Sequence, residues 1–224
     1  RQMCIRDSLI TEQTAAVIIE PVQGEAGIYP ATKEFMHKLR SLTSNHGALL
    51  IIDEVQSGVG RMGSLYGYMH YEVEPDILTS AKGLGGGMPI GATLTTRSIG
   101  ESMQPGTHGS TFGGNPMACA VADTVLTIVS DKEFLDEVVR KEKLFVKLLN
   151  ELNKEKNIFS AIRSEGLWIG CDLINEESSD VIDRCYDNGL ILVSAGSNCL
   201  RLAPALNIKD DDIKEGIEIL KQVF

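Results

Sequence analysis

The sequence lacks several features that mark common functional classes. Its five cysteines are dispersed and form no CxxC pair, and its four histidines show no ligand spacing such as HExxH. No apolar run approaches the roughly 20 residues that cross a bilayer, and the longest, around Ala48–Ile52, stops at Asp53. These absences argue against a structural metal site and a membrane span, and the dispersed thiols favour a cytoplasmic protein.

Positive charge is also scarce. The 224 residues carry 21 Lys and Arg against 31 Asp and Glu, which gives a formal net charge of −10. A nucleic-acid surface needs a basic patch, so this balance argues against one. Hydrophobic residues make up 43% of the chain, which is ordinary for a globular protein with one large or two small domains.

The first half of the chain has the pattern of an α/β protein. The β-branched run Ala15–Glu20 and the apolar run Ala48–Asp53 predict two buried strands, and Lys33–Ser44 between them predicts a helix capped by Thr32. A strand, a helix and a strand in under 40 residues predict a βαβ unit with a mostly parallel sheet. Further strands are predicted at Ile77–Ser80 and Gly91–Thr96, and helices at Met117–Val129 and Lys132–Asn153.

The pattern changes after about Glu155. Predicted strands at Ile158–Arg163, Leu167–Leu173, Leu190–Val193 and Cys199–Leu202 alternate with helices at Val181–Asn188 and Asp210–Phe224. We therefore expect residues 15–154 to belong to a large α/β domain and residues 155–224 to form a small α+β domain. Residues 1–14 are left as an unassigned tail, because the polar segment Arg1–Ser8 lacks the apolar stretch of a signal peptide.

Two segments after predicted strands could carry chemistry. Asp53 stands at the carboxyl end of a buried strand, where it could pair with a protonated ring nitrogen while Gln56 reaches a neighbouring oxygen. A helix cap or turn carboxylate is the alternative. Lys82 follows a short strand and is flanked by small residues that favour desolvation, which would free its amine to attack a carbonyl. A solvated surface lysine is the alternative.

Two further segments could bind anions. The loop Gly106–Pro116 combines hydroxyls and free backbone N–H groups ahead of a helix, so it could form an anion cradle or be a plain Gly/Ser loop. Arg201 lies inside an apolar strand, where an arginine is costly unless it pairs with a carboxylate. That carboxylate could belong to a substrate or to a structural ion pair.

One segment imitates a nucleotide-binding motif. Gly58–Gly63 matches GxGxxG, which would favour a nicotinamide-dependent dehydrogenase. A dinucleotide fingerprint follows its strand at once and opens a helix, whereas here four residues intervene after Asp53 and Ser64–Tyr68 is a poor helix start. The interpretation as a dehydrogenase therefore depends on the motif alone.

Taken in order, these segments resemble the class III aminotransferases of pyridoxal-phosphate (PLP) fold type I. The matching segments are Glu20–Gly27, Ile52–Gly58, Pro75–Lys82, Gly109–Pro116 and Leu200–Pro204. Within the class the chain looks most similar to the acetylornithine aminotransferases of arginine biosynthesis, some of which act on succinyldiaminopimelate. The resemblance implies that residues 15–154 are the C-terminal part of the PLP-binding large domain.

The resemblance assigns roles around the cofactor. Lys82 would carry PLP covalently and act as the general acid and base of the reaction. Asp53 would keep the ring nitrogen protonated, Gln56 would bind the ring hydroxyl, and Val55 would pack against one ring face. Thr111 would bind the PLP phosphate of the other subunit of a homodimer.

The resemblance also assigns roles toward the substrates, which are an amino acid and 2-oxoglutarate. Arg201 would grip a carboxylate of 2-oxoglutarate or glutamate, Glu25 would pair with this arginine or release it, and Ser110 would lie near the substrate. The reaction implied is transfer of the terminal amine of N-acetylornithine, by a ping-pong route. Succinylornithine, ornithine and 4-aminobutyrate aminotransferases and glutamate-semialdehyde aminomutase are close alternatives.

Family members carry a comparable stretch of chain before Ala15. It includes the phosphate-binding turn at a helix start, an aromatic residue stacked on the ring and an arginine for the acyl-amino-acid side. We therefore expect the 224-residue chain to be weak or inactive by itself. A non-catalytic remnant that only dimerises or binds a partner is the alternative of a different class. The intact set of Asp53, Gln56, Lys82, Thr111 and Arg201 argues against it.

Overall fold

The computed structural model describes residues 9–224, which divide into two compact units. The first unit comprises residues 9–21, Ala31–Gly60 and Ser64–Asp131. The second comprises Val22–Pro30, Arg61–Gly63 and Lys132–Phe224. Residues 1–8, part of the predicted tail, lie outside the described residues.

The described part of the chain contains ten strands and seven α-helices. The strands are β1 (Ala16–Ile19), β2 (Val22–Gln23), β3 (Tyr29–Pro30), β4 (Leu49–Asp53), β5 (Ile77–Ser80), β6 (Ala92–Thr95), β7 (Phe159–Ser164), β8 (Ile169–Leu173), β9 (Val193–Ala195) and β10 (Cys199–Leu202). The helices are α1 (Lys33–Asn45), α2 (Gly67–Tyr71), α3 (Arg97–Gly100), α4 (Pro116–Val129), α5 (Lys132–Lys156), α6 (Ser178–Asp187) and α7 (Asp210–Val223). A 3-10 turn covers Lys82–Gly85.

The first unit is built on a four-stranded sheet in the order β1-β4-β5-β6. Strands β1, β4 and β5 are parallel, and β6 joins β5 antiparallel. The predicted βαβ unit is confirmed, because β1 and β4 pair in parallel register and α1 connects them. The side chain of Thr32 caps α1 by accepting the N–H of Phe35 at 3.1 Å, as the sequence predicts.

The second unit is built on an antiparallel sheet in the order β7-β8-β10-β9, together with the hairpin β2-β3. Helices α5, α6 and α7 contribute apolar faces to one core with this sheet. The buried core includes Val138, Phe145, Leu149, Leu167, Ile169, Leu200, Ile213 and Leu220. Because α5 packs against β7 and α7, it belongs to this unit, whose longest segment is Lys132–Phe224. The predicted division at residue 155 falls within α5.

Three predictions of local structure differ from the structure. The strand predicted at Leu190–Val193 is found at Val193–Ala195, since pairing with β10 begins where Val193 meets Arg201. The segment Gln23–Pro30, predicted as a loop, supplies most of the hairpin β2-β3. Helix α2 starts within Ser64–Tyr68, the segment predicted to be a poor helix start. The carboxylate of Glu54, which accepts the Gly67 N–H, explains this.

The turn between β7 and β8 carries a half-buried acid with an unusual proton affinity. Burial, followed by the negative charge of Glu142, raises the pKa of Glu165 from 4.5 to about 7. A carboxyl whose folded pKa is raised contributes stability that is complete below pH 4.5 and is lost as the pH rises through about 7.

Substituting Glu165→Gln should remove this pH dependence. We expect the variant to be more stable than the parent by about 1–2 kcal/mol at pH 8 and no more stable than the parent at pH 4.5, because the amide stays neutral throughout. Urea denaturation at several pH values measures the difference. The exposed-site substitution Glu151→Gln is the control, and parallel pH profiles for Glu165→Gln and the parent would contradict the assignment.

Candidate active site

The structure holds Asp53 rigidly at the carboxyl end of β4. Its Oδ1 accepts the N–H of Val55 at 3.0 Å and the Oγ1 hydroxyl of Thr79 at 3.0 Å. Both hydrogen bonds fall on Oδ1, and the side chain is only half-buried. A carboxylate fixed in this way at the end of a parallel strand is available to a ligand at the sheet edge.

The next residue, Glu54, was not predicted as a separate feature and is fully buried. Its carboxylate accepts the Ser57 hydroxyl at 2.7 Å, the Gly67 N–H at 2.9 Å and the Tyr68 N–H at 2.7 Å. Burial raises the pKa of Glu54, while these three hydrogen bonds lower it. Because Gly67 and Tyr68 open α2, Glu54 caps this helix from 13 residues away in the chain.

Glu54 could have been recognised from its place in the chain. Successive residues of a strand point to opposite faces, so Asp53 and Glu54 cannot share one role. An acid on the inward face after an apolar run needs buried donors. The turn that follows, with the half-buried Val55 and Gln56, is therefore tied to α2 by one carboxylate.

Lys82 follows β5, the strand that pairs with the strand ending at Asp53. Asp53 pairs with Thr79 in parallel register, and Lys82 follows Thr79 by three residues. With neighbouring strands about 4.8 Å apart and three residues reaching at most about 11 Å, the two Cα atoms lie within about 16 Å. A lysine side chain and a pyridine ring together span such a gap.

The predicted desolvation of Lys82 is wrong for the described chain, in which the side chain is exposed. The reason is local, because the neighbouring Ala81, Gly83, Gly86 and Gly87 have no side chains long enough to cover an amine. The backbone of Lys82 is unusual, with φ at +47°, a region that non-glycine residues rarely adopt. Such strain is found at functional sites more often than elsewhere.

The loop that contains Ser110 and Thr111 is exposed along its length. Within residues 9–224, neither hydroxyl forms a hydrogen bond with another residue, so both are available to a ligand. The N-terminus of α4 is partly satisfied from within, since Asn115 Oδ1 accepts the Ala118 N–H at 2.9 Å and Pro116 has no N–H. Any anion cradle here therefore depends on the loop.

In the second unit, the structure brings Glu25 and Arg201 together. Arg201 Nη1 lies 2.6 Å from Glu25 Oε1. The arginine side chain is 17% exposed and the glutamate side chain 71% exposed. Arg201 Nε is buried and donates to no atom among residues 9–224. This arginine can therefore exchange an exposed internal carboxylate for that of a ligand.

Other chemistries find less support in the described residues. The GxGxxG match at Gly58–Gly63 lies in turns and opens no helix, so it has none of the context of a dinucleotide fingerprint. Among residues 9–224, no three His, Cys, Asp or Glu side chains cluster as a metal site would require. None of the helices in the same range has both the length and the apolar character needed to cross a membrane.

The fold and site agree with what comparison with known proteins shows. A family model described as "Aminotransferase class-III" matches residues 2–224, and the chain belongs to this family. It is 51% identical over 214 residues to a succinylornithine transaminase of Yersinia pseudotuberculosis, and the alignment covers 94% of this chain and 52% of the relative. A succinylornithine transaminase of Salmonella paratyphi A is 50% identical, and the alignment again covers 94% of this chain and 52% of the relative. The chain thus spans about half the length of the curated relatives it matches.

Solved structures show the same fold. The N-acetylornithine aminotransferase of Stenotrophomonas maltophilia superposes with a TM-score of 0.90 at 35% identity, covering 100% of this chain and 59% of that one. An ornithine aminotransferase of Toxoplasma gondii, whose crystals show partial PLP occupancy at the active site, gives a TM-score of 0.89 at 31% identity. It covers 100% of this chain and 54% of that one.

Class III aminotransferases depend on PLP, and the residues of this chain fit that cofactor. Asp53 offers a half-exposed carboxylate whose orientation is fixed through Oδ1. The exposed amine of Lys82 follows the neighbouring strand. A carboxylate for a ring nitrogen and an amine for an aldehyde are the donor set that this cofactor requires.

Proposed function

We propose that the chain takes part in PLP-dependent transfer of the terminal amine of an N-acylated ornithine to 2-oxoglutarate, giving a semialdehyde and glutamate. The observation that carries the proposal is the placement of Asp53 and Lys82 at the ends of neighbouring parallel strands, with Asp53 locked by Thr79. The cofactor would supply an electron sink for the substrate carbanion.

Each residue of the first unit would have a stated task. Lys82 would hold the cofactor covalently and then move a proton between two carbon atoms of the substrate and cofactor. Asp53 would keep a proton on the ring nitrogen. Gln56 would donate to the ring hydroxyl, and Val55 would cover one ring face.

The remaining tasks involve a second copy of the chain and the substrates. Thr111 would bind the PLP phosphate held by its partner in a homodimer, and Ser110 would lie near the substrate. Support comes from the exposure of both hydroxyls. Arg201 would bind a carboxylate of 2-oxoglutarate or glutamate. When the amino donor is bound, Glu25 would pair with Arg201 instead. A reducing cytoplasmic location fits the free thiols of Cys119, Cys171, Cys185 and Cys199.

The acyl group of the amino donor is the point on which the sequence resemblance and the named relatives differ. The sequence resemblance favours N-acetylornithine, while the relatives at 50–51% identity are named for succinylornithine. Either donor presents the same terminal amine, so both are consistent with the roles of Lys82 and Asp53.

An assay for glutamate tests the proposal. The chain would be supplied with PLP, 2-oxoglutarate and either N-acetylornithine or N-succinylornithine, and glutamate would be measured. Because the chain spans about half the length of its relatives, we expect only a low rate of glutamate formation. That rate should be higher with at least one acylated donor than with ornithine or 4-aminobutyrate, and the variant Lys82→Arg should form none. Equal and measurable rates for the parent and Lys82→Arg would refute the proposal.

A further inference from the structure

Glu25 is carried by a short hairpin whose tip has a demanding backbone. Strands β2 and β3 pair Val22 with Pro30 and Gln23 with Tyr29. The connecting turn places Gly27 at φ +122° and Ile28 at φ +58°. Only glycine adopts the first of these angles without strain. A hairpin of four paired residues is too small to be stable by itself, so something else must hold it.

Arg163 on β7 holds this hairpin. Its Nε donates to the carbonyl oxygens of Gly27 at 2.9 Å and Ile28 at 3.2 Å, and its Nη2 donates to the Gly27 oxygen at 2.7 Å. The guanidinium carbon lies 4.2 Å from the ring centroid of Tyr29. A single side chain, 18% exposed, therefore contacts three consecutive residues of the hairpin.

Asp172 orients Arg163 from the other side. The guanidinium forms a bidentate pair with this carboxylate, at 2.6 Å from Nη1 to Oδ2 and 2.5 Å from Nη2 to Oδ1. The same pairing lowers the pKa of Asp172. A planar fork fixed in this way cannot be reproduced by lysine, which offers a point charge.

Two glycines let the hairpin approach closely on its remaining sides. The N–H of Gly196 donates to the Glu25 carbonyl at 2.8 Å, and a Cβ at Gly196 would lie 2.5 Å from the Ala26 oxygen. A Cβ at Gly170, which pairs with Arg201 across β8 and β10, would lie 2.8 Å from the Gly27 oxygen. The backbone of the hairpin is thus fixed, while the Glu25 side chain stays 71% exposed.

We propose that Arg163 is a positioning residue that holds the hairpin so that the Glu25 carboxylate reaches Arg201, and thereby sets how strongly Glu25 competes with a dicarboxylate ligand. This inference rests on the proposed function, in which Arg201 binds a carboxylate of 2-oxoglutarate. The contacts to the hairpin support it, because Arg163 binds the carbonyl oxygens of Gly27 and Ile28, two and three residues after Glu25. Arg163 makes most of the side-chain contacts to that backbone.

Competition and simple structural support predict opposite results. If Arg163 only stabilised the fold, its loss would leave the binding of every ligand unchanged or make it weaker. If it presents Glu25 to Arg201, its loss frees Arg201 and tightens dicarboxylate binding. A solvent-exposed ion pair competes weakly, so we expect Arg163→Gln to tighten 2-oxoglutarate binding by about two- to fivefold.

The experiment measures the dissociation constant of 2-oxoglutarate by calorimetry for four forms of the chain: the parent, Glu25→Gln, Arg163→Gln and the double variant. Circular dichroism verifies that each is folded. We expect both single variants to bind more tightly than the parent, and the double variant to bind no more tightly than Glu25→Gln. If Arg163→Gln does not fold, Arg163→Lys takes its place, with a smaller gain expected because one point charge replaces the fork.

The outcomes separate this inference from the function on which it rests. Tighter binding by Glu25→Gln with unchanged or weaker binding by the folded Arg163 variant would overturn the inference and leave the function intact. No gain for Glu25→Gln, or no binding by the parent, would overturn the exchange of carboxylates at Arg201 and the inference with it. Additive gains in the double variant would also overturn the inference, since the two residues would then act separately.

Discussion

The variant Asp53→Asn should keep its fold and lose about 10²–10³-fold in the rate of glutamate formation. An amide has the same shape, and its Oδ1 can still accept from Val55 and Thr79, so the hydrogen bonds seen in the structure survive. What is lost is the negative charge that, in the proposed function, would keep a proton on the ring nitrogen. Removing one preorganised electrostatic group from an active site has an effect of about this size.

Asp76→Asn is the matched control. Asp76 precedes β5, and its Oδ2 accepts Arg40 Nη1 at 2.8 Å and the Leu50 N–H at 2.7 Å. We expect this variant to lose about 1–3 kcal/mol of stability while keeping its rate per folded molecule. Stability by urea denaturation and rate by the glutamate assay are measured for both. A stable Asp53→Asn protein with an undiminished rate would contradict the role given to Asp53.

The variant Glu54→Ala should be destabilised by about 3–5 kcal/mol. It removes a fully buried carboxylate and leaves the Ser57 hydroxyl and the N–H groups of Gly67 and Tyr68 without their acceptor. Helix α2 would lose its cap, and the turn that carries Val55 and Gln56 would lose its tie to that helix.

Urea denaturation measures this effect against an exposed control. Glu34→Ala, on the solvent-exposed first turn of α1, should change stability by less than about 0.5 kcal/mol. Similar midpoints for the two variants would show that the Glu54 network is not stabilising.

Local patterns predicted the elements well where a single segment determines the outcome. The strands β5 and β10 and the cap of α1 follow from short runs of residues, and the structure confirms them. The mostly parallel sheet of the first unit follows from the strand–helix–strand pattern. The particular site residues remain predictions of role, although the structure places Asp53 and Glu25 in contact with Thr79 and Arg201.

Features that depend on distant parts of the chain were not predictable in this way. Glu54 caps a helix 13 residues later, and Arg163 holds a turn 136 residues earlier. The apolar run before Glu54 indicates that this acid needs buried donors, but no periodicity identifies which distant groups supply them. The same holds for Arg163, whose acceptors are backbone carbonyl oxygens. The exposure of Lys82 is the opposite case: small neighbours permit close approach of a ligand, but by themselves they cover nothing.

The central claim is that the amine of Lys82 binds the cofactor. The most direct measurement treats the chain with PLP and borohydride, digests it, and locates the reduced pyridoxyl group by mass spectrometry. We expect the label on the peptide that contains Lys82 and its disappearance in Lys82→Arg. A label spread over other lysines, or one that persists in the variant, would contradict the account.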